Sequence, residues 1–84
     1  MPRTPETYYT ITIVDYRTAD SYLVRYGRNT PRARKMMLTV SADFALAKRF
    51  ETYEQAVHYV SRLTAVLDQN NLETEIVEHQ MVMI

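Results

Sequence analysis

Residues 52–71, TYEQAVHYVSRLTAVLDQNN, decide the fold. Tyr53, Ala56, Val57, Val60, Leu63, Thr64 and Leu67 recur at helical spacing and predict one buried stripe. Tyr59 and Val66 widen it or lie at its edge. The helix is expected from about Tyr53 to Leu67 or Asp68. Thr52–Gln55, TYEQ, matches a capping box: the Thr side chain accepts from a free amide and the Gln side chain reaches back. Glu51 and Glu54 put negative charge at the positive end of the helix dipole. Asp68–Asn71, DQNN, is a stop without glycine, so one Asn is expected to take the left-handed closing position.

Strands flank this helix. In residues 7–15, TYYTITIVD, Tyr9, Ile11 and Ile13 point one way and Tyr8, Thr10, Thr12 and Val14 the other. Arg17–Ser21 reads as a turn, and Tyr22–Tyr26, YLVRY, as the return strand of a hairpin. Gly27–Pro31, GRNTP, ends that strand, and Met36–Val40, MMLTV, reads as a third. Ser41–Ala47 stays open between strand and a short helical turn started by Ser41 or Asp43. Beyond the helix, Thr74, Ile76 and Glu78 alternate with Glu75, Val77, His79, Met81 and Met83. Charged residues opposite a Val/Met row predict one buried and one wet face. Residues 1–6, MPRTPE, read as a loose tail. The expectation is a single α+β domain, βββαβ-like, with an antiparallel hairpin plus one strand, a long helix on one sheet face, and a C-terminal strand.

Within Leu38–Tyr59, LTVSADFALAKRFETYEQAVHY, the skeleton is Leu38-Thr39, Ala47-Lys48-Arg49-Phe50, then Thr52, Glu54 and Ala56. This pattern resembles short, mostly uncharacterised proteins encoded by phages and mobile elements of Gram-positive bacteria. The resemblance covers about a quarter of the chain and implies a hairpin, a loop, an AKRF segment, a capped helix and a terminal strand. It implies no activity. Physically, Ala47 and Phe50 are expected under the helix start and Ala56 against the sheet. Lys48 and Arg49 are expected to stay wet or pair with nearby acids.

Charge is unevenly distributed. Residues 1–49 carry nine Lys/Arg and four Asp/Glu; residues 50–84 carry one and six, so a balance of +5 meets one of −5. A polarised surface suggests a protein that works by contact. With no cysteine, disulfides, a thiol nucleophile and Cys-ligated metals are excluded. A single glycine argues against a phosphate-cradling loop. No apolar run is long enough to span a bilayer, and the opening MPRTPETYYTITIV lacks a signal-peptide core. A cytoplasmic location and no cofactor are expected.

The candidate contacts for an anionic partner are Arg25, Arg28, Arg32, Arg34 and Lys35, since no acidic residue lies between Ser21 and Ala42. Arginines could reach phosphates, and Tyr22 and Tyr26 could stack on unpaired bases. The plainer reading is a solvated loop, and zero net charge weakens the nucleic-acid case. The acidic group Glu51, Glu54, Asp68, Glu73, Glu75 and Glu78 could meet a basic face, although Glu51 and Glu54 have ordinary capping roles. His58 with Glu54 lacks further metal ligands, and His58 with Ser61 or Ser41 lacks a nucleophile elbow. The candidate interface residues are Tyr8, Tyr9, Tyr22, Tyr26, Met81 and Met83. Tyrosine combines contact area with a polar tip, and the apolar end Met81–Ile84 reads as an internal strand or the edge of a dimer. The expected function is binding, with a protein partner ahead of nucleic acid and a homodimer possible.

Overall fold

The computed structural model describes residues 6–28 and 30–81. The elements run β1 (Glu6–Val14), β2 (Ser21–Gly27), β3 (Met37–Ser41), a 3-10 turn (Phe44–Leu46), α1 (Tyr53–Gln69) and β4 (Glu73–Met81). They form an antiparallel sheet of order β3-β2-β1-β4 with α1 on one face. This is the βββαβ arrangement read from the sequence. Of the expected tail, Glu6 belongs to β1 and residues 1–5 lie outside the described residues.

The helix ends follow the local chemistry. Thr52 Oγ1 accepts from the Gln55 amide at 3.2 Å. The reciprocal bond is displaced by one residue: Gln55 Oε1 accepts from the Glu51 amide, not from the cap residue. At the other end Asn71 takes φ 55°. The Leu72 amide donates to the Leu67 carbonyl and the Asn71 amide to that of Asp68, the bond pair of a Schellman motif. The open segment 41–47 resolves as a 3-10 turn capped by Asp43, whose carboxylate accepts from the Ala45 amide.

The core lies between α1 and the sheet: Ile11, Ile13, Leu23 and Phe50 meet Ala56, Leu63 and Leu67. Three expectations need correction here. Tyr53, Val57 and Thr64 are exposed, because the helix rolls toward Tyr59 and Val66, which pack on the core in their place. On β4 it is Ile76, opposite Ile11, that meets the helix, while the Val77 row faces the back of the sheet. In β2, Tyr22 and Tyr26 lie on opposite faces. A bulge between Leu23 and Arg25 inserts one residue against β3. Alternation therefore reverses, and Leu23 and Tyr26 both face the helix.

β1 and β2 pair only beside their turn, at Thr12–Tyr22 and Ile13–Ser21. Beyond that the sheet forks, and the chain from Ala47 to Phe50 passes through the opening. The Lys48 amide donates to the Leu23 carbonyl at 2.9 Å, and Phe50 and Tyr9 exchange backbone bonds of 2.8 and 2.9 Å. Phe44, before the passage, touches Tyr22 and His79 on the back face; Phe50, after it, lies in the core. The fork leaves the Tyr26 backbone with β3 on one side, opposite Leu38, and with no strand of the described residues on its β1 side. Tyr59 repairs this with its hydroxyl, which accepts from the Tyr26 amide at 2.8 Å and approaches the Tyr26 carbonyl as donor at 3.4 Å. Tyr59→Phe is expected to destabilise by about 1–3 kcal/mol, because it leaves a part-buried amide unpaired. Urea denaturation checks this; a loss below about 0.5 kcal/mol would show that water replaces the hydroxyl.

Candidate functional site

The helix rests on β1 and β4. It leaves the β3 edge of the same face uncovered, and the result is a groove of about 450 Å³. Leu38, Val40 and Met36 form one side, and Ile13, Val66 and Leu72 the other. Met36, Met37 and Val40 are 40, 49 and 42% exposed, high values for apolar side chains grouped on one concave surface. Leu38 reaches the groove because β3 alternates: Leu38 stands opposite Tyr26 on the helix side. Its neighbour Met37 lines the same groove at the start of the strand.

One end of the groove is closed by the β1–β2 turn. Asp15 accepts from the Arg17 amide at 2.9 Å and from its Nε at 3.2 Å, and these bonds hold the Asp15 carboxyl below its ordinary pKa. The same guanidinium donates to the Asn70 carbonyl at 3.2 Å, tying the turn to the helix C-terminus. Along the chain, the exposed Arg32, Arg34 and Lys35 lead directly into Met36. The groove is thus apolar in its walls and basic where the chain enters it. It holds no converging set of ionisable groups, and among the described residues no three His, Asp or Glu side chains come together.

The other anticipated residues are dispersed. Arg25 is exposed but tethered, donating to the Arg28 carbonyl at 2.8 Å. Tyr26 is half-buried against the core, so it and Tyr22 cannot form one stacking platform. On the back face, Tyr8 stacks on His79 at 4.9 Å, Phe44 leans on His79, and Tyr22 meets Phe44 edge-on. Thr10 is fully buried there and shares a 2.8 Å hydrogen bond with His79 Nε2. Arg49 covers the Tyr8 ring at 4.6 Å, and Lys48 stands over Phe50 and Tyr59. Both cations stay exposed, one of the two outcomes read from the sequence, and lie over aromatic rings. Tyr9 faces the helix side, its ring edge-on to Tyr53. Its hydroxyl donates to Glu78 at 3.3 Å, and burial together with the Glu78 carboxylate raises its pKa. Met81 ends β4, and Met83 lies outside the described residues. His58 is exposed on the helix, far along the chain from its fellow His79 on β4.

The groove was missed by sequence reading. Its signal was the apolar excess of MMLTV at the sheet edge, where no second helix exists to cover it.

No family model, curated protein or solved structure matches the chain. The resemblance of residues 38–59 to phage and mobile-element proteins therefore stands on those residues alone. Among the described residues no helix is long and apolar enough to cross a membrane.

Proposed function

We propose that the protein is a non-enzymatic binding module that seats an apolar, acid-flanked segment of another protein in the groove between β3 and α1. The observation that carries this reading is the exposure of Met36, Met37 and Val40 along one wall of a concave apolar surface. Methionine adapts its shape to varied side chains, which suits a docking surface. The preference for acidic flanks comes from Arg32, Arg34 and Lys35 where the chain enters the groove; Arg17 at the other end is already paired with Asp15. The phage or mobile-element setting and a cytoplasmic location belong to the same proposal; they rest on the residue pattern and composition.

Selection of a random peptide library on the purified protein tests it. The expected binders carry apolar side chains beside Asp or Glu. Their affinity is expected to fall at least about tenfold in Val40→Asp, a change of about 1.4 kcal/mol, and to weaken with charge reversal at Arg34 and Lys35. Basic binders, or binders indifferent to Val40→Asp, would sink the groove reading. A parallel titration with single-stranded and duplex oligonucleotides addresses the basic segment. Tight, salt-sensitive binding that survives Val40→Asp and is lost on reversal of Arg32, Arg34 and Lys35 would make that segment the functional surface instead.

A further inference from the structure

A second surface, on the far side of the sheet from the groove, is complementary to itself. β4 is an edge strand of nine residues, paired to β1 along its whole length and, among the described residues, to no strand on its other side. Which of its backbone groups face outward follows from the fork. Tyr9 spends its amide and carbonyl on Phe50, away from β4, so the opposed residue Glu78 turns its own away from β1. By alternation the outward donors and acceptors of β4 belong to Thr74, Ile76, Glu78 and Gln80.

We infer that the protein forms a two-fold dimer in which β4 pairs antiparallel with β4 of a second copy, centred on Val77. This centre is the one that overlaps the two strands end to end. It sets the outward groups of Ile76 against those of Glu78 in the second copy, and Thr74 against Gln80, closing about eight main-chain hydrogen bonds. On the back face it places Glu75 opposite His79 of the other copy, twice, in the close non-hydrogen-bonded positions where side chains interact most. Neighbouring registers do worse. Centring on Glu75 or Glu78 sets each glutamate against its own copy, and centring on Ile76 shortens the overlap and closes about six main-chain bonds. The acidic residues that would guard a lone edge here help to select the register.

The helix supplies an independent observation. Its β2 flank is occupied: Tyr59 reaches the Tyr26 backbone and Val66 lines the groove. The opposite flank, toward the β4 edge, carries Tyr53 and Val57, 52 and 43% exposed, with the exposed Thr64 beyond them. These are the stripe residues that the monomer leaves uncovered. In the dimer both helices lie on the same face, one on each side of the seam. A helix centred between β1 and β4 stands about 5 Å from the seam at the usual strand spacing. The two helices then lie about 10 Å apart, the ordinary distance for packed helices, with Tyr53 and Val57 between them. Glu78, also at the seam, keeps the Tyr9 hydroxyl as donor.

Sedimentation equilibrium of the full chain, from low to several hundred micromolar, tests the dimer. Twice the 9.9 kDa chain mass is expected. Val57→Lys alters only an exposed helix position of the monomer. Gln80→Pro removes only an outward amide, which an edge strand tolerates. Each is expected to weaken association at least about tenfold while the circular-dichroism spectrum is retained. Val40→Asp, in the groove, is expected to leave the dimer intact, which separates this inference from the groove reading. A chain that stays monomeric throughout the range would overturn it, as would a dimer indifferent to both Val57→Lys and Gln80→Pro.

Discussion

Phe50→Ala is expected to lower the unfolding free energy by about 3–5 kcal/mol, the largest single effect in the molecule. A domain of this size has about 5–15 kcal/mol in total. Two terms combine at Phe50. Its ring is buried in the core, edge-on to Tyr59 at 5.3 Å. Its backbone also fills the fork, exchanging two hydrogen bonds with Tyr9. Removing the ring leaves a void beside the Tyr59 side chain whose hydroxyl holds Tyr26. The cavity and the passage through the sheet therefore loosen together, and little collapse can relieve the loss. Phe50→Leu keeps most of the volume and should cost less than about 1.5 kcal/mol. Urea denaturation of both variants decides the matter. A loss below about 1.5 kcal/mol for Phe50→Ala would mean that the backbone bonds alone hold the passage.

Phe50 also shows where sequence reading reached and where it stopped. Its burial, the Thr52 cap, the left-handed Asn and the order of strands and helix along the chain were legible, because each depends on periodicity or on chemistry within a few residues. The fork was not. It is set by a contact between Tyr9 and Phe50, forty-one residues apart, and no local pattern announces that pairing. The β2 bulge was hidden for a related reason. YLVRY alternates well enough as a flat strand, and only pairing with β3 shows the inserted residue. The helix stripe was half legible. Periodicity identified its apolar residues correctly, but the fork draws Tyr59 toward β2 and rolls Tyr53 and Val57 outward. The candidate site was harder still. An apolar run such as MMLTV looks the same whether it lines a core or an open groove. The difference is which strands a single helix covers, and that is a property of the assembled sheet.

Leu63→Ala tests the rolled helix directly and is expected to cost about 2–5 kcal/mol. Leu63 has no exposed surface and touches the cluster of Ile11, Ile13 and Leu23 from the middle of α1. The helix draws most of its stability from that packing rather than from intrinsic propensity. At about 4–8 °C per kcal/mol, the midpoint should fall by at least about 8 °C. The informative comparison is Val57→Ala, about 1.7 turns away on the same apolar stripe. In the rolled frame Val57 is exposed, so in dilute protein its truncation should cost no more than about 0.5 kcal/mol. If the stripe were buried as periodicity alone suggests, the two substitutions would cost comparable amounts at every concentration. Thermal melts across a concentration series separate these cases. A Leu63 effect that is large and constant, beside a Val57 effect that grows as the protein is concentrated, would place Leu63 in the monomer core and Val57 in the seam between copies. A large Val57 effect in dilute protein would move the helix back to the frame that its periodicity proposes.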